Sequence, residues 1–295
     1  MRSLTIARAT IVGAAAAAAL AIVSLSSPEA SAQAPSASAA PATATTPAPA
    51  SCPAGMAAIP GGTYAPGGRK DAVVVAGYCL DLTEVTVAAY DACVTSGACT
   101  PPDAYEAYDA KRANWQRASC NWRHPGRAQH PINCVDSDQS AAFCASLGKR
   151  LPTEEEWEWA ARSGPDAAPY PWGSATPDEH RLNACGLECR AAQAAQGVES
   201  RALAYRANDG FAETAPVGSF PQGDNRWGVH DLEGNVAEWT STAWRNSHLG
   251  QADTIDRVTR GAGWLEDHAS GLTATARDTW TPATRFMTVG FRCLK

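Results

Sequence analysis

The sequence predicts one irregular α+β domain, rich in loops and poor in regular secondary structure. Three observations predict it. Helical periodicity is confined to a stretch ending near Arg162; beyond it the chain is rich in Gly, Pro, Asn, Asp and Trp, with only short apolar runs. The 295 residues include ten Trp against five Phe. Each buried indole brings an N–H donor that must find a partner, which suits an irregular interior better than a leucine-packed bundle. Finally, all ten cysteines, an even number, lie between Cys52 and Cys293.

At the N-terminus, Arg2 and Arg8 precede an apolar run from Ile11 to Leu25 and the small-x-small triplet Ala30-Ser31-Ala32. This is the pattern of a signal peptide over 1–32, with cleavage near Ala32. The run is short of the about 20 apolar residues a spanning helix needs, so no transmembrane domain is expected in the mature chain. The expected location is therefore secreted or periplasmic. In that setting an even cysteine count reads as a disulfide framework. Cys185 and Cys189 have a loosely metal-like spacing, but no second pair stands nearby to complete a zinc site.

Residues 33–50 are almost wholly Ala, Pro, Ser and Thr and read as an extended tether. One domain follows over 51–295, with no internal repeat. A first helix is expected from Thr86 to before Gly97, with Tyr90, Cys93 and Val94 at helical spacing. A second starts near Asp136, with Ala141, Cys144, Ala145 and Leu147 on one face and Gly148 as its stop. The third opens on a capping box, Thr153 with Glu156, while Glu154 and Glu155 complement the helix dipole and Trp157, Ala160 and Ala161 supply the buried face. The cap explains these three glutamates more simply than acid–base chemistry does. Thereafter Thr214–Phe220 and Phe286–Phe291 read as short strands among structured loops.

The net charge of -6 is mild, and no stripe of Lys and Arg points to nucleic acid. No Gly-x-Ser-x-Gly elbow supports a serine hydrolase. Glu266, Asp267 and His268 could carry acid–base work or hold a metal, but a solvated polar loop is the simpler reading. Asn208-Asp209-Gly210 alone reads as a turn.

A series of motifs then stands in order: Ile59-Pro60-Gly61-Gly62, Glu84-Val85-Thr86, Gly148-Lys149-Arg150-Leu151-Pro152-Thr153-Glu154-x-Glu156-Trp157-Glu158, Tyr170-Pro171-Trp172-Gly173, Pro216-Val217-Gly218-Ser219-Phe220-Pro221, Gly234-Asn235-Val236-x-Glu238-Trp239, Arg260-Gly261 and Gly290-Phe291-Arg292-Cys293. Together they resemble the formylglycine-generating-enzyme, or sulfatase-modifying-factor, family across about residues 55–295. The resemblance implies a variant of the C-type-lectin fold. Active members oxidise a cysteine of a client sulfatase to formylglycine with molecular oxygen and copper held by two cysteines. Other members have no shown catalysis, so the site must decide the function.

By that resemblance the two cysteines follow the stretch that here reads Arg260-Gly261-Ala262-Gly263-Trp264, and their positions fall on Glu266 and Gly271. Copper(I) is soft and selected by thiolates; a carboxylate is hard and glycine has no side chain. No copper and no formylglycine generation by the family mechanism are therefore expected. The resemblance also implies structural calcium at two sets of residues: Asp231, Gly234, Val236 and Glu238, and Asn183, Ala184, Asp209 and Phe211. Gly234, Val236, Ala184 and Phe211 would contribute backbone oxygens. It implies a Cys144–Cys293 disulfide as well. Proximity alone pairs Cys52 with Cys79, Cys93 with Cys99, Cys120 with Cys134, and Cys185 with Cys189, although spacing does not fix connectivity. The function classes that remain are a secreted binding or accessory domain for an unidentified protein or peptide ligand, an enzyme of altered chemistry, and a formylglycine-generating oxidase with a rearranged site.

Overall fold

The helices start where side chains can cap them. Thr86 caps α1 (Val87–Thr95), its hydroxyl accepting from the Ala89 N–H at 3.2 Å, and Gly97 at φ +79 ends the turn beyond it. Asp136 and Gln139 form a reciprocal capping box on α3 (Ser137–Ser146), and Thr153 and Glu156 form another on α4 (Glu154–Ala161). Each box satisfies two N–H groups that the helix itself leaves without partners. Two further helices, α2 (Ala113–Ala118) and α5 (Leu187–Ala195), were not expected, and α5 has no side-chain cap. The computed structural model describes residues 46–67, 69–102, 113–198, 202–245 and 255–295. The chain divides into Met1–Pro41 and Ala42–Lys295, and every described residue falls in the second unit. The expected signal segment and the tether up to residue 45 lie outside the described residues.

One helix face differs from expectation. On α3, Ala141, Ala145 and Leu147 are exposed, Leu147 by 54%, while Ser140, Phe143 and Cys144 are buried. Phe143 decides the orientation. It stacks on Tyr90 at 5.6 Å and meets Phe291 edge-on at 5.4 Å. Burying a phenyl ring removes far more apolar area from water than burying two alanine methyls. On α4, Trp157, Ala160 and Ala161 are buried as expected, and Trp159 with them.

Strands are short. β1 (Met56–Ile59) pairs antiparallel with β4 (Tyr78–Asp81), and β2 (Gly62–Tyr64) with β3 (Val73–Val75). The third sheet has the order β7 (Arg277–Trp280), β6 (Ile255–Arg260), β5 (Ala237–Arg245), β8 (Val289–Gly290). Its first two pairings are antiparallel and β5–β8 is parallel, with a register irregularity in β5 between Trp239 and Ala243. The Phe286–Phe291 run thus contributes only two strand residues. Thr214–Phe220 forms no strand: Pro216 lacks an N–H, and Gly218 at φ +74 leaves the extended region. The C-terminus returns to β4, where Cys79 and Lys295 exchange two 2.9 Å backbone hydrogen bonds. Thr46 pairs with Gly61, its N–H reaching the Gly61 carbonyl at 3.1 Å, so the end of the tether segment lies along the domain.

The core is built on tryptophan. Trp157, Trp159, Trp239 and Trp264 are all buried, and each indole N–H has an acceptor: Glu238 Oε2 at 2.8 Å, the Pro60 carbonyl at 2.7 Å, the Val135 carbonyl at 2.9 Å and the Met287 carbonyl at 3.2 Å. All five expected disulfides are formed: Cys52–Cys79, Cys93–Cys99, Cys120–Cys134, Cys144–Cys293 and Cys185–Cys189, with Cα separations from 5.1 to 5.7 Å. The core is therefore stapled at five places as well as packed.

Candidate functional site

Glu266 and Gly271 face each other. A Cβ built on Gly271 would stand 2.4 Å from Glu266 Cδ and 2.6 and 2.7 Å from its two carboxylate oxygens. The glutamate lies over the bare glycine, and its Oε1 accepts from the His268 N–H at 3.0 Å. The two positions are thus close enough that side chains on both would touch. They line an open cavity of about 410 Å³ whose walls include Leu265, Trp280 and Phe286, with Asp278 at its edge. Burial pushes both the Glu266 and the Asp278 carboxyl above the ordinary range. No thiol is present, because all ten cysteines are in disulfides. Asp267 and His268 pair with each other at 2.6 Å on an exposed loop.

The acidic first turn of α4 is structural. Glu154 meets Arg69 at 2.5 Å and Arg277 at 3.0 Å, and Glu158 accepts from the buried Arg260 at 3.0 Å. Glu156 completes the cap and pairs with Arg150 at 2.6 Å. Their carboxylates are held by arginines and backbone rather than turned to a cavity.

The first expected calcium set sits in a tight turn. Asp231 and Asn235 have φ of +53 and +57, and Gly234 lies so close to the Asn183 carbonyl that a Cβ would be 2.6 Å from it. Glu238 is fully engaged: its oxygens accept from Arg292 Nε at 2.8 Å, from Arg292 Nη2 at 2.6 Å and from Trp157. The group that fits a cation here was not among the residues expected from the sequence. Glu84 is buried, neither of its carboxylate oxygens has a hydrogen-bond partner among the described residues, and burial followed by the neighbouring Asp231 charge raises it well above the ordinary range. Three carboxylates, Glu84, Asp231 and Glu238, thus share the single guanidinium of Arg292. That surplus of negative charge fits a divalent ion better than a closed salt bridge.

The second set adjoins the first, since the Asn235 N–H donates to the Asn183 carbonyl at 2.8 Å. Tyr205 organises it, donating toward Asp209 Oδ2 at 2.5 Å and lying 3.2 Å from the Ala184 carbonyl. The Phe211 N–H reaches Asp209 Oδ1 at 2.8 Å, making the Asn208–Phe211 turn an Asx-type turn. Burial pushes Asp209 up to about 7. The Oδ1 of the buried Asn183 has no hydrogen-bond partner among the described residues. The donors are all oxygens, which suits a hard cation.

These features coincide with a family match. Residues 41–295 match the sulfatase-modifying factor enzyme 1-like domain, and the chain belongs to that family. The chain is 36% identical over 184 residues to the inactive Cα-formylglycine-generating enzyme 2 of Bos taurus, covering 58% of this chain and 55% of the relative. It is 34% identical over 191 residues to the formylglycine-generating enzyme of Mus musculus, covering 59% and 48%. The chain thus spans about half the length of these curated relatives. Among solved structures it is similar to PvdO from Pseudomonas aeruginosa, with a TM-score of 0.54 at 23% identity over 86% of this chain and 90% of that one. The fold is therefore the α+β, loop-rich fold of the family. No described helix is long and apolar enough to cross a membrane.

Proposed function

We propose that this chain is an exported, calcium-holding member of the family that does not generate formylglycine and serves as a binding or accessory domain for a protein or peptide. The observation that carries the reading is the pairing of all ten cysteines in disulfides, with a glutamate folded over a glycine where the family's cysteine pair falls. In the family, two thiolates hold copper and bring it to bear on oxygen; here Glu266 offers hard oxygen and Gly271 offers nothing. The cavity above them remains open, with aromatic walls and two carboxylates, as suits a bound side chain. Similarity to a relative named inactive supports the same direction.

The chain recovered from its host's periplasm or medium is expected to begin at Gln33. Given a Cys-x-Pro-x-Arg peptide, copper and oxygen, it is expected to return the peptide unchanged by mass spectrometry. Robust conversion would overturn the loss of activity in favour of an oxidase with a rearranged site. A cytoplasmic chain with Met1 intact would overturn export.

Calcium is expected to be structural. At free calcium a hundredfold above its dissociation constant, one site adds about 2.7 kcal/mol, or roughly 5–10 °C in a domain of this size. Chelation should lower the melting temperature by that order, and Asp231→Ala should shrink the difference. Identical melting with and without chelator would remove calcium from the reading.

A further inference from the structure

Resting on that calcium reading, we propose that Glu188 is a ligand of the divalent cation at the second set, held in place by the Cys185–Cys189 disulfide. Glu188 stands in the first turn of α5, four residues after the segment that carries Asn183 and Ala184. Both of its carboxylate oxygens are closed off from solvent, and neither has a hydrogen-bond partner among the described residues. Glu188 lies close enough to Asp209 for the two carboxylates to act on each other's charge. Asn183 Oδ1, itself buried and without a partner, belongs to the same group of oxygens by sequence.

The local chain is shaped to turn Glu188 inward. A Cβ on Gly186 would stand 2.8 Å from Glu188 Oε1 and 2.6 Å from the Ala207 carbonyl, so only glycine leaves the carboxylate room to fold back beneath the helix start. The disulfide closes a separation of four residues and fastens the neighbour of Ala184 to the neighbour of Glu188. Gln193, one turn further on, donates from Nε2 toward both sulfurs at 3.0 and 3.3 Å. Burying two adjacent carboxylates with no cation nearby is costly. A calcium ion takes six to eight oxygens and accepts them in flexible geometry, so it can collect Glu188 and Asp209 together with Asn183 Oδ1 and the Ala184 carbonyl. The all-oxygen donor set points to a hard ion rather than to copper or zinc.

Calorimetric titration of the metal-free mature chain with calcium chloride tests this. The wild type is expected to bind at two sites. Glu188→Gln should weaken one of them at least tenfold and leave the other, while Asp231→Asn should weaken the other; Glu179→Gln, on a half-buried carboxylate paired with His180, should change neither. In chelator, Glu188→Gln should melt no lower than the wild type, because it removes a buried charge with no partner, yet lose part of the calcium-induced rise. Cys185→Ala with Cys189→Ala should weaken the same site as Glu188→Gln. Two wild-type affinities in Glu188→Gln would overturn the assignment while leaving calcium binding intact. A wild type that binds no calcium would overturn the calcium reading itself.

Discussion

Arg292→Met is expected to cost the folded state about 3–5 kcal/mol, a large fraction of what holds an ordinary domain together. The Arg292 guanidinium is wholly buried and satisfies acceptors from three parts of the chain. Nε and Nη2 hold Glu238 on β5; Nη2 also reaches the carbonyls of His230 at 2.9 Å and Asp231 at 3.2 Å, and Nη1 reaches those of Asp81 and Leu82 at 3.3 Å. Methionine matches the stem but removes every donor. In calcium-free solution Glu238 would then keep only the Trp157 N–H while facing Asp231 and Glu84, and four carbonyls would lose a partner. Lysine would keep the charge but lose the planar fork that spans these acceptors, so Arg292→Lys should fall between methionine and wild type. Urea denaturation should show the loss as a lower midpoint at constant slope. A methionine variant within 1 kcal/mol of the wild type would mean the network is dispensable.

Removing the Cys144–Cys293 disulfide is the second large effect. The bridge spans 149 residues and ties α3 to the C-terminal segment. By the chain-entropy relation a loop of that size contributes about 5 kcal/mol, whereas the six-residue separation of Cys93–Cys99 contributes about 2. Both cysteines of the long bridge are buried, so alanine also leaves a small void. The double variant Cys144→Ala with Cys293→Ala should therefore lose more stability than Cys93→Ala with Cys99→Ala, by about 3 kcal/mol under non-reducing denaturation. Equal losses, or a reversed order, would show that loop length is not what the bridges act through.

What the sequence discloses about this fold follows from how local the signal is. α1, α3 and α4 were readable because a cap is written within four residues, as in Thr153 and Glu156. α5 is not legible because its N-cap is Gly186, which carries no capping side chain, and its second half is only alanine and glutamine. The buried face of α3 is ambiguous in sequence because alanines satisfy a helical period without settling which side is wet; Phe143 settles it through partners distant in sequence. The disulfides were legible because four of them are local. The ionic interior was not. Glu84 and Glu238 stand in recognisable motifs, but their burial and their sharing of Arg292 depend on segments far apart in sequence. Glu188 was hidden for a related reason, since nothing in Gly186-Leu187-Glu188-Cys189 says that the carboxylate turns inward.

The contact between Glu266 and Gly271 bears on history as well as chemistry. Suppose a lineage began with cysteines at both positions. A glutamate arriving at 266 first would have met a Cβ at 271 within about 2.4–2.7 Å of its carboxylate, and would have been driven out of its present bed into the cavity. A glycine arriving at 271 first opens that bed and already disables the thiol pair. The less obstructed route runs through position 271, so relatives caught midway should more often carry glycine or another small residue there beside a surviving cysteine at the first position than the reverse.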